Sequence, residues 1–257
     1  MTGTTPEMSR LELAPQRAMF AMEFLDPIRG ALVAEGLRVT AEGLRAPTVT
    51  PSNRFVWLDR SPPADPSAVP PADRRVRVEA VCARGMFAPF DEMIRVPAYR
   101  VGIGADQLRF RRRLRPTGLY DPPAGVTGVG GMLVEDKDSR TPVVGARIRI
   151  LFLYAEGMEL FTGGYTAFTD RRGGFIAALR RIGDVRPDPD PAAPGTFLAW
   201  LRLKRGAQVR AFGPLSLRPG RLTRLEALLD WAKLPSPEAV IEASSCNRKS
   251  VFAGDEL

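Results

Sequence analysis

From residue 18 onward, short runs of branched and aromatic side chains alternate with turn residues: MFAMEFLD, GLRVTAE, RFVWLD, RRVRVEAVC, EMIRVP and QLRFRRRL. Val76, Val78 and Ala80 alternate with Arg77 and Glu79, the period of two of a strand with one buried face. The 24 glycines and 24 prolines are spread along the whole chain and leave no room for long helices. The pattern predicts an all-β protein. LTRLEALLDW, from Leu222 to Trp231, fits two periods: Leu222, Leu225, Leu228 and Leu229 suit a helix face, Leu225, Ala227 and Leu229 a strand. It is read as a strand, because QLRFRRRL, its counterpart in the repeat described next, alternates clearly.

Two regions share one order of signals. FLDPIRGALVAEGLRVTAE corresponds to LVEDKDSRTPVVGARIRIL, each an Asp-led turn, a small-residue step and an alternating strand. VTPSNRFVWL then corresponds to FTDRRGGFIAAL, with Asn53 where the second copy has a turn glycine. RVRVEAVCARGMFAPFDEMIRVP corresponds to AWLRLKRGAQVRAFGPLSLRP, and in both copies a proline-rich loop, 61–71 or 186–195, precedes this third block. The expectation is two tandem β-sandwich domains at 18–115 and 128–232. A Pro and Gly linker at 116–127 separates them, a flexible arm at 1–17 precedes them, and a tail at 233–257 follows, whose AVIEA core is expected to dock as a short helix.

Composition changes the picture mainly by exclusion. The chain has no histidine, which removes every Ser-His-Asp, Cys-His and His-ligated metal mechanism. Cys82 and Cys246 fit no metal or disulfide spacing. No cofactor and no metal are expected. No run approaches ~18 apolar residues and the N-terminus shows no signal-peptide pattern, so the expectation is a cytoplasmic protein without a membrane span. The net charge of +8 comes almost entirely from arginine, with lysine only at 137, 204, 233 and 249. That bias suits a GC-rich genome and also leaves open a basic nucleic-acid-binding accessory.

The sharpest surface feature is the run from Arg109 to Arg115. On a strand, Arg109, Arg111, Arg113 and Arg115 share one face while Phe110 and Leu114 face the core. Two readings stand: a partner-binding face that grips acidic groups, or an edge strand protected by charge. Glu135, Asp136 and Asp138, with Asp170 as a possible neighbour, offer oxygen ligands but match no calcium-loop spacing and are read as a solvated turn, as are Asp188 and Asp190. Trp57 and Trp200 are read as core anchors, Trp231 as an interface residue and Cys82 as a buried hydrophobe. Gly102 and Gly104 lack the strand, third glycine and helix of a dinucleotide fingerprint. A carboxylate-dependent enzyme needs only two Asp or Glu residues, but no pair stands out.

One motif series is more specific: Gly131, Val134 and Asp136; Pro142, Gly145 and Ala146; Thr169, Asp170, Gly173 and Phe175. It resembles the carboxypeptidase regulatory-like domain, a transthyretin-like β-sandwich of seven strands, over about residues 128 to 230. Gly145 and Ala146 would allow close packing at a strand start, Asp170 and Gly173 would shape a hairpin turn, and Phe175 would fill the core. The resemblance implies two transthyretin-like or Ig-like sandwiches and a non-catalytic role in folding, adhesion or docking. The expected function is structural, with protein partners in a larger bacterial or phage assembly, a phage tail or contractile injection particle by analogy.

Overall fold

The protein is described by a computed structural model over residues 17–59, 72–98, 104–154, 157–161, 164–179, 187, 189–190 and 192–237. The arm before Arg17, the 61–71 loop, Asp188, Gly102, Cys246 and the AVIEA segment lie outside the described residues.

Seven strands form the first half: β1 Arg17–Leu25, β2 Leu37–Ala41, β3 Thr48–Val49, β4 Phe55–Asp59, β5 Arg74–Cys82, β6 Phe90–Val96 and β7 Arg109–Arg113. They pair in the orders β3-β4-β1-β7 and β2-β5-β6. The apolar half of each alternating strand forms one core, where Phe20, Met22 and Phe24 of β1 and Phe55 and Trp57 of β4 join Val39, Val76, Val78, Ile94 and Val96. Removing such side chains from water contributes about 1.5–3 kcal/mol each.

The second half comprises β8 Thr127–Val134, β9 Arg147–Tyr154, β10 Gly157–Phe161, β11 Ala167–Phe168, β12 Gly174–Leu179, β13 Phe197–Arg205, β14 Gln208–Leu217, β15 Leu222–Arg224 and β16 Leu229–Asp230. One sheet runs β10-β9-β13-β14 with β11 on β9, and the other β12-β8-β15 with β16 also on β8. Val129, Leu133, Phe175 and Ala177 meet Ile148, Ile150, Leu201 and Leu203 in a second core. The protein is all β and sandwich-like. The strand reading of 222–231 holds at 222–224 and 229–230, but 225–228, with Leu225 and Ala227 of the expected alternation, form a bend and Trp231 opens a 3₁₀ turn to Lys233. Trp231, expected at an interface, is buried in the second core.

The halves share one connectivity. β1 pairs antiparallel with β4 and parallel with β7, as β8 does with β12 and with β15 and β16. The β2-β5-β6 order returns as β9-β13-β14. The turns also return atom for atom. Asp26 Oδ1 accepts from the Ile28 and Arg29 amides, and Asp136 Oδ1 from those of Asp138 and Ser139. The Arg54 amide donates to Thr50 Oγ1 at 3.1 Å, and that of Gly174 to Asp170 Oδ1 at 2.9 Å. At the position requiring positive φ, Asn53 has +59° and Gly173 +77°. Asparagine tolerates this region better than other residues with a Cβ, which is why it stands in for glycine.

The first part of the linker expected at 116–127, residues 116–120, is anchored, while Asp121, Ala124 and Gly125 are exposed. Pro116 bridges to Phe87, the Thr117 hydroxyl donates to Gly85 O at 2.7 Å, and Tyr120 is 1% exposed in the first core. The Tyr120 hydroxyl donates to Asp26 Oδ2 at 2.6 Å, while Asp170 Oδ2 accepts the Gly118 amide at 2.9 Å. Gly118 approaches Gly174 so closely that an added Cβ would lie 2.9 Å from the Gly174 Cα. All of β12 is buried, with Phe175, Ala177 and Leu179 in the second core and Ile176 in the first.

Tyr120→Phe is expected to cost about 1–2 kcal/mol in urea unfolding, because the charged Asp26 oxygen loses its donor. Gly118→Ala should cost more, since backbone rather than a side-chain tip must yield. Limited proteolysis of the folded protein should spare 116–121.

Candidate functional site: arginines on a buried carboxylate

β1 turns Phe20, Met22 and Phe24 into the core, so Glu23 projects from the outer face of its sheet. Yet Glu23 is 0% exposed. Its cover is arginine. On one side the Arg54 Nε–H, just before β4, donates to Oε1 at 2.7 Å. On the other the Arg111 Nε–H of β7 donates to Oε2 at 2.7 Å, and Arg109 Nε stands 3.8 Å from Oε1. Parallel pairing sets Arg111 directly opposite Glu23. The guanidinium-bearing side chains remain 39% (Arg54), 39% (Arg109) and 58% (Arg111) exposed, so the carboxylate lies just under the surface.

Burial pushes the Glu23 carboxyl up, but hydrogen bonds from Arg111 and Arg54 and the charges of Arg111 and Arg109 outweigh it and hold the group below the usual carboxylate range. Glu23 therefore stays ionised and spends its charge on fixing arginines. Each of Arg54 and Arg111 uses Nε for this bond, and their terminal nitrogens form no hydrogen bond among the described residues. Three guanidiniums on one carboxylate leave the face positive, with Asp106 bonding Arg109 at 2.5 Å.

The four arginines singled out in the sequence are thus divided. Alternation is as expected: Arg109, Arg111 and Arg113 are exposed on β7, while Phe110 and Leu114 join the first core. Arg109 and Arg111 are engaged on Glu23 rather than standing free. Arg115 lies over the Phe168 ring at 4.9 Å. Arg113 makes no hydrogen bond or ion pair among the described residues. Arg112 turns to the other side and holds Glu92 of β6 through two hydrogen bonds, of 2.7 and 2.5 Å.

The acidic positions have internal tasks. Asp136 holds its turn and accepts from the Ser139 hydroxyl at 2.5 Å, Glu135 pairs with Arg205 at 2.6 Å, and Asp170 accepts the amides of Arg172, Gly174 and Gly118. Asp190, expected in a solvated turn, is instead buried and accepts from the Ala192 amide and the Ser216 hydroxyl. Among the described residues no group of three or more metal-ligating side chains forms. Of the remaining motif residues, Pro142 bridges to Val134, the buried Ala146 donates its amide to Thr169 Oγ1 at 2.9 Å, and Phe175 is fully buried; Gly145, expected to allow close packing, instead faces open space, and its φ of +76° is what calls for glycine. Trp57, Trp200 and Cys82 are buried. A shallow hollow beside β1 and β4, lined by Met19, Leu44, Arg45, Thr48, Trp57 and Leu58, carries no carboxylate. No helix among the described residues is long and apolar enough to cross a membrane.

No family model matches the chain, and no curated protein matches it. A solved structure titled "The Bacillus anthracis TIE protein" is similar at 11% identity, covering 83% of this chain and 34% of its own, with a TM-score of 0.24. The chain therefore spans about a third of that protein.

Glu23→Gln and Arg111→Gln are each expected to lower stability by about 1–3 kcal/mol in denaturant, because a charged hydrogen bond at a covered site is lost. Arg113→Gln should change it by less than ~0.5 kcal/mol. The sign with pH follows from the lowered folded pKa. The Glu23 contribution is full above the ordinary value of 4.5 and is lost as pH falls through the lower folded value. Glu92, held low first by its hydrogen bond from Arg112, adds in the same direction. Between pH 5 and 3, the Glu23→Gln protein should therefore lose stability less steeply than the unmodified one, as read from urea midpoints.

Proposed function

We propose that this protein is a non-catalytic structural or interaction component of a larger protein assembly, with an acidic protein surface as its ligand. The observation that supports this most directly is the outer face of β1, β4 and β7, where a covered carboxylate fixes two partly exposed guanidiniums by their Nε atoms and leaves their terminal donors without a hydrogen bond among the described residues. A guanidinium already held in place loses less freedom on meeting a carboxylate, so such a face binds at lower entropic cost than free arginines do. The anchored connection between the halves supports a load-bearing reading, since domains joined by a loose linker would not hold a fixed spacing. The motif series from Gly131 to Phe175, with its resemblance to carboxypeptidase regulatory-like domains, points the same way.

The test is purification of the tagged protein from its own host at physiological and at high salt, followed by mass spectrometry. Protein neighbours in fixed ratio, released by salt and lost in an Arg113→Glu variant that folds normally, are the expected result. Recovery of a lone monomer, or co-purification of nucleic acid in place of protein, would overturn the proposal.

A further inference from the structure

We infer, resting on the interaction reading above, that the open edge of β7 takes up an extended acidic segment of the partner protein as an added strand, with carboxylates at alternate positions opposite Arg109, Arg111 and Arg113.

Three features converge on this edge. Among the described residues the sheet order ends at β7. Its parallel register with β1 pairs Leu25 with Arg113 and continues as the Leu114 amide donating to Leu25 O at 2.9 Å. In a parallel ladder alternate residues direct both backbone groups to one neighbour, so those of 110, 112 and 114 face β1 and those of 109, 111 and 113 face the open side. The Arg109 amide is used by Asp106 O of the preceding 3₁₀ turn. Among the described residues no backbone group pairs with the amides of Arg111 and Arg113 or the carbonyl of Arg113, whereas the Arg111 carbonyl is held by its neighbour Arg112 Nη1 at 3.0 Å.

The second feature is spacing. Residues two apart on a strand stand about 6.6–6.8 Å apart, and an added strand repeats that spacing opposite them on the same face. A segment with Asp or Glu at alternate positions would set one carboxylate before each arginine, the cross-strand arrangement in which opposite charges attract. The third feature is preparation. Glu23 holds Arg111 by Nε, the Arg111 side chain stays 58% exposed, and among the described residues Arg113 has no hydrogen bond or ion pair to give up.

The same arginines make β7 a poor template for another copy of itself, because like charges would then stand opposed. The edge thus selects against self-pairing and for an acidic strand. A nucleic-acid backbone would satisfy the guanidiniums but would leave the Arg111 and Arg113 amides unused, and the acidic strand uses both.

The experiment employs the full chain and labelled synthetic peptides. One alternates Glu with Thr over eight residues, one has the same composition in blocks, and one alternates but carries N-methyl groups on the amides of one edge. A single-stranded oligonucleotide of equal charge is the fourth probe. The alternating peptide is expected to bind at least about tenfold more tightly than the block and N-methylated peptides, and to slow exchange of the Arg111 and Arg113 amides. Arg113→Glu should abolish that advantage with unchanged thermal stability. Equal binding of the three peptides, or unprotected amides, overturns strand addition while leaving an acidic partner in place. No peptide binding also overturns it, and the host purification then decides the interaction reading separately. Preferential binding of the oligonucleotide at physiological salt overturns both.

Discussion

Two carboxylates, Asp26 and Asp170, fix the arrangement on which the remaining structure depends. Each first organises its own turn through backbone amides, and each then offers its second oxygen to the same short stretch of chain, to Tyr120 in one case and Gly118 in the other. Charged hydrogen bonds to backbone and phenol contribute about 1.5–3 kcal/mol each, and here they act where two cores already touch through Ile176. Burial raises the Tyr120 phenol well above its usual range, reinforced by the hydrogen bond with Asp26. The phenol therefore keeps the proton that makes the bond. The two halves are clamped at the turns that these two carboxylates organise.

Glu23 obeys a similar economy on the other side of the first sheet. A lone carboxylate removed from water is costly unless paired and hydrogen-bonded, and two strands supply the pairs from opposite sides. The outcome differs from that at Asp26. There the phenol partner is buried in the first core; here the partners are arginines whose side chains stay 39% and 58% exposed.

Much of the fold could be read in the sequence because the turns are written in local chemistry. An Asp two residues before the amide it accepts, or an Asn at a positive-φ position, needs no knowledge of the tertiary structure. The repeat was visible for that reason, as was the strand at Leu222. Glu23 was not legible. In MFAMEFLD it sits where alternation places solvent, and its burial depends on arginines 31 and 88 positions away. Trp231, read as an interface residue from its place at a domain end, and Asp190, read as solvated from its proline-rich loop, were both misjudged because contacts distant in sequence enclose them. The all-apolar β12 carried a signal that alternation alone does not register, a strand covered on both faces.

The pairing of β1 with β7 has a consequence during synthesis. Glu23 leaves the ribosome 88 residues before Arg111 does; at roughly 5–20 residues per second this is a wait on the order of 4 to 18 seconds. Through that interval Phe20, Met22 and Phe24 can be sheltered by β4, but the side of β1 that β7 will take stays open to whatever is nearby. The charge at Glu23 then works as a guard on a nascent edge, discouraging premature pairing with apolar strands until the arginines meant for it arrive.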